Sequence, residues 1–219
     1  MRDCWLFGFC VFHKREPVLT EIRFPRKTSQ GEFMKKIIAV VGDADITNDK
    51  KKHDLAFAVG KLLVENGFRV QSGGLQGVMH AAFCGAKSAK NAEDGDTVAI
   101  VPAFNRNVAN PCADIVIATG LDLYRNVIVA NADAVIAIGG GAGTLSEIAN
   151  AWSMLRLVVA LDSVDGWSKK VAGTRLDDRI RYPSIPDDKI FAASTAEEAI
   201  QIICERINDY TLSYRGIKK

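Results

Sequence analysis

Gly139, Gly140, Gly141 and Gly143 fall within five consecutive positions, and Thr144 follows them. Such a stretch leaves no side chain between the backbone N–H groups and a docking molecule. The residues before it, Ala134 to Ile138 (AVIAI), form a continuous apolar run of the kind that builds a parallel strand covered on both faces. Behind it, Leu145, Ile148, Ala149, Trp152 and Leu155 recur at helical spacing and predict an amphipathic helix that opens at Thr144. A glycine loop feeding a helix N-terminus is an anion site, because unpaired N–H donors and the positive end of the helix dipole point the same way. The ligand this chemistry implies carries a phosphate.

Other chemistries are less well served. No GK[ST] follows the glycines, so the loop is not a Walker A element. It is not a dinucleotide fingerprint either, since Ser146 stands where the third glycine belongs and the loop comes late in the chain. There is no GxSxG elbow for a hydrolase nucleophile, and no lysine stands out as a Schiff-base former. His13, His53 and His80 are not spaced four apart from one another. No cysteine or carboxylate is read beside them as a ligand, so no metal site is expected. Asp43 and Asp45 follow the first apolar strand and can meet a ribose or base, although acidic residues in such a turn are more often simply solvated. Glu147 is either a working carboxylate or the N3 partner of Thr144 in a capping box. Arg125 is either a catalytic group or a plain ion-pair or phosphate contact.

The elements that must position these residues alternate from Lys36 onward. Strands are predicted at Ile37–Val41, Phe68–Gln71, Thr97–Val101, Ile115–Ala118, Ala134–Ile138, Leu157–Leu161 and near Ile190–Phe191. Between them lie helices carrying Leu55, Phe57, Val59, Leu62 and Leu63; a second from about Gly77 to Ala89; a short one around Leu123–Ala130; and another around Gly166–Val171. Thr47, Asn48 or Asp49 can cap the first helix and Gly67 ends it. Ser194-x-x-Glu197 reads as a capping box for the last helix, which buries Ala199, Ile200, Ile203 and Ile207. This alternation predicts an α/β fold, a Rossmann-like doubly wound parallel sheet in a single domain. Gly42, Gly73-Gly74, Pro102, Gly120 and Gly139 end successive strands, and ligands in such folds sit at those carboxyl ends.

Composition sets the remaining bounds. The chain has 219 residues and a net charge of +2, which gives no electrostatic case for nucleic acid or an anionic membrane. No segment reaches transmembrane length. Cys4, Cys10, Cys84, Cys112 and Cys204 are odd in number, scattered and without CxxC spacing, which predicts reduced thiols in a cytoplasmic protein. Residues 1–33 read as an N-terminal extension outside the fold. The competing reading is an arm that packs Trp5, Leu6 and Phe9 on the domain or a second subunit. The ligand-binding domain is expected over 34–209, with 210–219 as a tail.

Gly140-Gly141-Ala142-Gly143-Thr144-Leu145-Ser146-Glu147 resembles the GG-x-GT-x-x-E signature of the Lonely Guy (LOG) group, once mislabelled lysine decarboxylases. Gly73-Gly74-Leu75-Gln76-Gly77-Val78-Met79 resembles that group's GG-x-x-G-x-M, and Arg125-Asn126 its arginine element. The resemblance spans roughly Lys36 to Ile203. It implies a homodimer or homotetramer, joined through the helices that flank the glycine loop, to which a Leu145/Ile148/Trp152 stripe would contribute. It implies two activities. LOG enzymes hydrolyse the N-glycosidic bond of nucleoside 5′-monophosphates, with Arg125 and Glu147 as the catalytic pair. That role calls for the two side chains to face one pocket across a ligand-sized gap. The LOG motif opens on proline, however, and Gly139 stands in its place here. Three glycines look more like a sister branch that includes the molybdenum cofactor carrier proteins, which bind a phosphorylated pterin without turnover. On either reading the ligand residues implied are Gly42, Asp43, Gly73, Gly74, Gly77, Met79, Asn126, Gly139, Gly140, Gly141, Gly143 and Thr144. The carrier reading leads. No cofactor is required, and molybdopterin or a nucleoside monophosphate would be the bound ligand.

Overall fold

The computed structural model of the chain describes residues 34–212. The proposed extension over 1–33, with Trp5, Leu6, Phe9, Cys4 and Cys10, lies outside the described residues, as does 213–219. The apolar runs form seven strands: β1 (Ile37–Gly42), β2 (Arg69–Ser72), β3 (Thr97–Val101), β4 (Ile115–Ala118), β5 (Ala134–Ile138), β6 (Leu157–Leu161) and β7 (Phe191–Ala193). They make one parallel sheet in the order β4-β3-β2-β1-β5-β6-β7. Every residue of β3, β5 and β6 is buried, as a parallel sheet with helices on both faces requires. At the edge, β4 alternates exposed and half-buried residues.

Two groups of helices cover the sheet. α1 (Lys50–Glu65) packs against α2 (Val78–Lys87) and α6 (Ala196–Arg206), while α4 (Ala142–Ser153) packs against α3 (Asn126–Ala130) and α5 (Trp167–Val171). Because strand side chains alternate, Ala39, Val41, Val135 and Ala137 meet Val129, Ile148, Ala151 and Trp152 of the α3–α4 group in one cluster. The result is an α/β Rossmann-like fold. The strand order reverses between β1 and β5, whose final residues Gly42 and Ile138 are paired in register. A reversal of this kind opens a crevice beyond the carboxyl ends of the two strands.

Several local expectations shift. Asp49 is the N-cap of α1, accepting from Lys52 N–H at 3.0 Å. The buried stripe of α1 is Ala56, Val59, Gly60, Leu63 and Val64, with Leu55, Phe57 and Leu62 only half-buried. The reason is close approach: a Cβ on Gly60 would collide with the Ala82 carbonyl of α2. The last capping box sits one residue later than read from sequence. Thr195 accepts from Glu198 N–H at 3.2 Å, and Glu198 accepts from Ser194 N–H at 2.7 Å. In α4 the buried residues are Thr144, Glu147, Ile148, Ala151 and Trp152. Ile148 and Trp152 are consumed by the core of their own subunit, so they are not an exposed stripe for subunit contact.

Tyr210, the first residue of the expected tail, packs into the domain. It is buried and donates to Asp188 at 2.7 Å, and Asp188 also holds the Arg181 guanidinium, with a 2.9 Å bond from Nε. Arg181 in turn donates to the carbonyls of Trp152 and Arg156, and its guanidinium lies 3.5 Å over the Trp152 ring. These bonds satisfy carbonyls at the C-terminal end of α4, where a cation also complements the helix dipole.

The cysteines need a correction. Cys84 of α2 and Cys112, ahead of β4, form a disulfide, with Cα atoms 5.4 Å apart. Their separation of 28 residues hides the fact that α2 and the β3–β4 connection converge. Cys204 is free and buried. Among the described residues, no helix is long and apolar enough to cross a membrane.

Candidate functional site

The glycine loop after β5 is built around Asp43. One oxygen of Asp43 accepts from Gly140 N–H at 2.8 Å and lies 2.7 Å from Lys52 Nζ. Lys52 stands in the first turn of α1, where three consecutive lysines run against the helix dipole. Burial opposes its charge, yet Asp43 and Asp49 outweigh that and hold its pKa above the ordinary value. The sequence reading overlooked Lys52, and that lysine run against the dipole is the signal that could have found it. On the other side of the loop, Ser168 of α5 accepts from Gly139 N–H at 2.8 Å. The N–H groups of Gly139 and Gly140 are therefore spoken for by the chain itself.

Gly139 has φ +65 and Gly140 φ +93. Proline is locked near −65 and cannot occupy the first of these, so this loop is incompatible with the proline that opens the LOG motif. The anion-binding potential lies one step on. α4 has Gly141 as N-cap with no side-chain cap, and its first i→i−4 bond runs from Leu145 N–H to Gly141 O at 3.0 Å. The N–H groups of Ala142, Gly143 and Thr144 precede that bond. Gly141, Ala142 and Gly143 are exposed, and a Cβ on Gly141 or Gly143 would meet nothing within 4 Å. A glycine-lined helix N-terminus of this kind has the donor geometry and dipole that suit an anion.

Glu147 is not a capping residue. The helix starts at Ala142, which leaves Glu147 in its second turn, aimed inward. Its Oε1 accepts from Arg125 Nη1 at 2.9 Å, and both residues are buried (6 % and 8 % exposed). The gap expected between them is therefore closed. Burial pushes the Glu147 carboxyl up to about 7, with the Arg125 guanidinium only partly opposing the rise. Arg125 ends a 3-10 turn (Asp122–Arg125) that runs into α3. Its guanidinium presses on Gly73, where any Cβ would collide with it, and its Nε has no hydrogen-bond partner. Gly73 is glycine to make room for this arginine.

The other residues named from sequence serve as struts. Asn126 donates to Ser146 Oγ at 2.8 Å, tying α3 to the first turns of α4. Gly42 lies where a Cβ would strike the Ile138 carbonyl and Val78. Gly77 has φ +69, and the Val78 N–H after it donates to Asp43 O at 2.9 Å. Met79 is buried in the core, and Gly74 has its carbonyl bound by Asn110 N–H at 2.8 Å. Asn110 is a further strut missed from sequence: it is buried, and its Nδ2 also donates to Leu75 O at 2.9 Å. Asp45 turns back on its own loop, accepting from Thr47.

A cavity of about 690 Å3 opens beside these loops, lined by Ala44 to Asn48, Lys50 and His53 on one side and by Gln76, Gly77, His80 and Ala81 on the other. Its volume suits a small ligand. The Arg125–Glu147 pair and the α4 N-terminus do not line it, and Asp43 stands next in the chain to its wall at Ala44.

Residues 35–199 match the SLOG cluster4 family, three quarters of the chain. The chain belongs to the SLOG cluster4 family. An uncharacterized protein of Archaeoglobus fulgidus is 42 % identical over 125 residues, 57 % of this chain and 78 % of its own length. The molybdenum cofactor binding protein of Rippkaea orientalis is 31 % identical, with TM-score 0.66 over 80 % of this chain and 99 % of its own. The molybdenum cofactor carrier protein of Chlamydomonas reinhardtii is 27 % identical, with TM-score 0.62 over 78 % and 98 %. This SLOG cluster4 chain thus shares its fold with proteins named for holding that cofactor.

Proposed function

We propose that this SLOG cluster4 protein binds a phosphorylated small molecule of the molybdenum cofactor type and holds it without cleaving it. The phosphate would rest on the N–H groups of Ala142, Gly143 and Thr144, with the ring system reaching past Asp43 and Lys52 toward the 690 Å3 cavity. The donor set suits such a ligand. The N–H groups at the helix start have no side-chain cap, and Lys52 offsets the Asp43 carboxylate that holds the neighbouring Gly140 N–H. The observation that carries the carrier reading over hydrolysis is the direct Arg125–Glu147 bond, which closes the gap across which that pair would have to face a ligand. The cofactor-binding neighbours at 31 % and 27 % identity support the same reading.

Phosphoribohydrolase activity is the second reading, and one observation favours it. A carboxyl held at about 7 is suited to proton transfer near neutrality. One experiment separates the two. The protein is titrated with a phosphorylated pterin and with AMP, and the mixture is analysed for free base. Binding of the pterin with no base released is expected; base release from AMP that vanishes in Glu147→Ala would overturn the carrier reading.

A homodimer or homotetramer belongs to this proposal. Leu123, Tyr124, Val127 and Ile128, around the Arg125 turn and α3, are exposed apolar side chains on an element that flanks the loop. Light scattering on Tyr124→Glu against the unaltered chain tests that surface, with dissociation expected.

A further inference from the structure

We propose that His80, Cys84 and Cys112 form a binding site for a single thiophilic metal ion, Zn2+ in the first instance, when the two cysteines are reduced. Cys84 stands four positions after His80 on α2, which puts both on one face of the helix. This spacing corrects the view that no histidine has a cysteine at ligand distance. Tertiary structure supplies the third ligand. One donor atom from each of His80, Cys84 and Cys112 lies within 4.8 Å of the others, and all three residues are half-buried. Two thiolates on a tetrahedral Zn2+ sit about 3.8 Å apart, from Zn–S bonds of about 2.3 Å. Cα atoms 5.4 Å apart reach that spacing by side-chain rotation alone.

A disulfide by itself has no use for an imidazole at its edge, whereas a Cys2His set with an open fourth position is a recognised zinc arrangement. The Cys112 ligand is held in place by bonds that do not involve its sulfur. Its N–H donates to Asn110 Oδ1 at 3.1 Å, and its carbonyl accepts from Thr97 Oγ1 at 2.8 Å. Asn110 also holds the Gly74 and Leu75 carbonyls, so the site is braced on the same strut as the GG-x-x-G loop. His80 lines the 690 Å3 cavity as well, which puts the ion at the cavity's edge.

The Cys84–Cys112 disulfide is the ion-free, oxidised form. A phosphine reductant with water converts it to two thiols and a phosphine oxide. Zn2+ then displaces two thiol protons to solvent and takes the neutral imidazole as its third protein ligand. This inference does not depend on which small molecule the glycine loop holds.

The test uses the full chain, reduced with a phosphine and freed of it without air. It is titrated with Co2+ as a spectroscopic stand-in and then with Zn2+ against a chromogenic chelator. Expected are a thiolate-to-cobalt charge-transfer band saturating at one ion per chain and no such band in the oxidised protein. Cys84→Ser should weaken Zn2+ at least about 100-fold and His80→Gln about tenfold or more, with Cys204→Ser unchanged. Circular dichroism checks that each variant is folded; should Cys84→Ser fail to fold, His80→Gln decides, since it leaves both cysteines in place. Absence of the band in reduced protein, or a band unaltered in folded His80→Gln, overturns the site.

Discussion

Arg125 and Glu147 are bonded directly, Nη1 to Oε1 at 2.9 Å, inside the junction of α3 and α4. Their 22-residue separation is bridged because α3 leads into β5 and α4 leads out of it, on one face of the sheet. Desolvating two charges is costly, and removing one partner leaves the other buried without compensation. Arg125→Ala is therefore expected to lose about 3 kcal/mol or more of stability, measured by urea unfolding at pH 8, where Glu147 is ionised.

The same pair gives a pH signature. Glu147 holds its proton up to about 7 in the folded protein against an ordinary 4.5. Between those values the folded chain carries more protons than the unfolded one, so this group's contribution to stability is full below about 4.5 and falls as pH rises to about 7. Glu147→Gln cannot titrate. The difference in unfolding free energy between the unaltered chain and Glu147→Gln should shift against the unaltered chain across that window and level off above it. Parallel curves would contradict the assignment.

Gly139 is constrained twice over. Its φ of +65 disfavours any L side chain, and a Cβ there would strike Asp43 Oδ2 and Lys52. Gly139→Ala should destabilise by about 1–3 kcal/mol. It should also break the Asp43–Gly140 contact, visible as a shift of the Gly140 amide resonance.

Lys52 neutralises Asp43 at the edge of the proposed anion site. Lys52→Ala leaves that carboxylate beside the α4 N-terminus, so affinity for a phosphorylated ligand should fall about tenfold at low ionic strength, with the deficit shrinking as salt is added. Calorimetric titration at two salt concentrations measures it; an equal loss at both would argue for a direct contact instead.

Arg181 closes the far end of α4. Its side chain is 1 % exposed and serves Asp188, the Trp152 and Arg156 carbonyls and the Trp152 ring. Arg181→Ala should cost about 3–5 kcal/mol, read as a lowered thermal midpoint. Thr195→Ala, which loses only an exposed cap, should cost about 1 kcal/mol.

Much of this molecule was readable along the chain. β3, β4, β5 and β6 fall on the residues predicted for them; in β3, β5 and β6 burial on both faces demands such apolar runs, whereas β4 lies at the edge and is only partly covered. Gly67, with φ +80, ends α1 as a C′ glycine should. The glycine motifs identified the superfamily and the loop, since backbone conformation and close approach are written in the residue itself. What neighbours in sequence cannot encode is who meets whom. Asp43 and Gly140 are 97 positions apart and touch only because β1 and β5 are adjacent in the sheet. Cys112 reaches Cys84 only because β3 and β4 pair. The register of α4 was decided the same way: the core claimed Ile148 and Trp152 and drew Glu147 inward to Arg125. Sequence determined the elements and the position of the glycine loop between β5 and α4. Tertiary structure decided which carboxylates are already paired, because pairing is set by strand order and helix packing rather than by spacing along the chain.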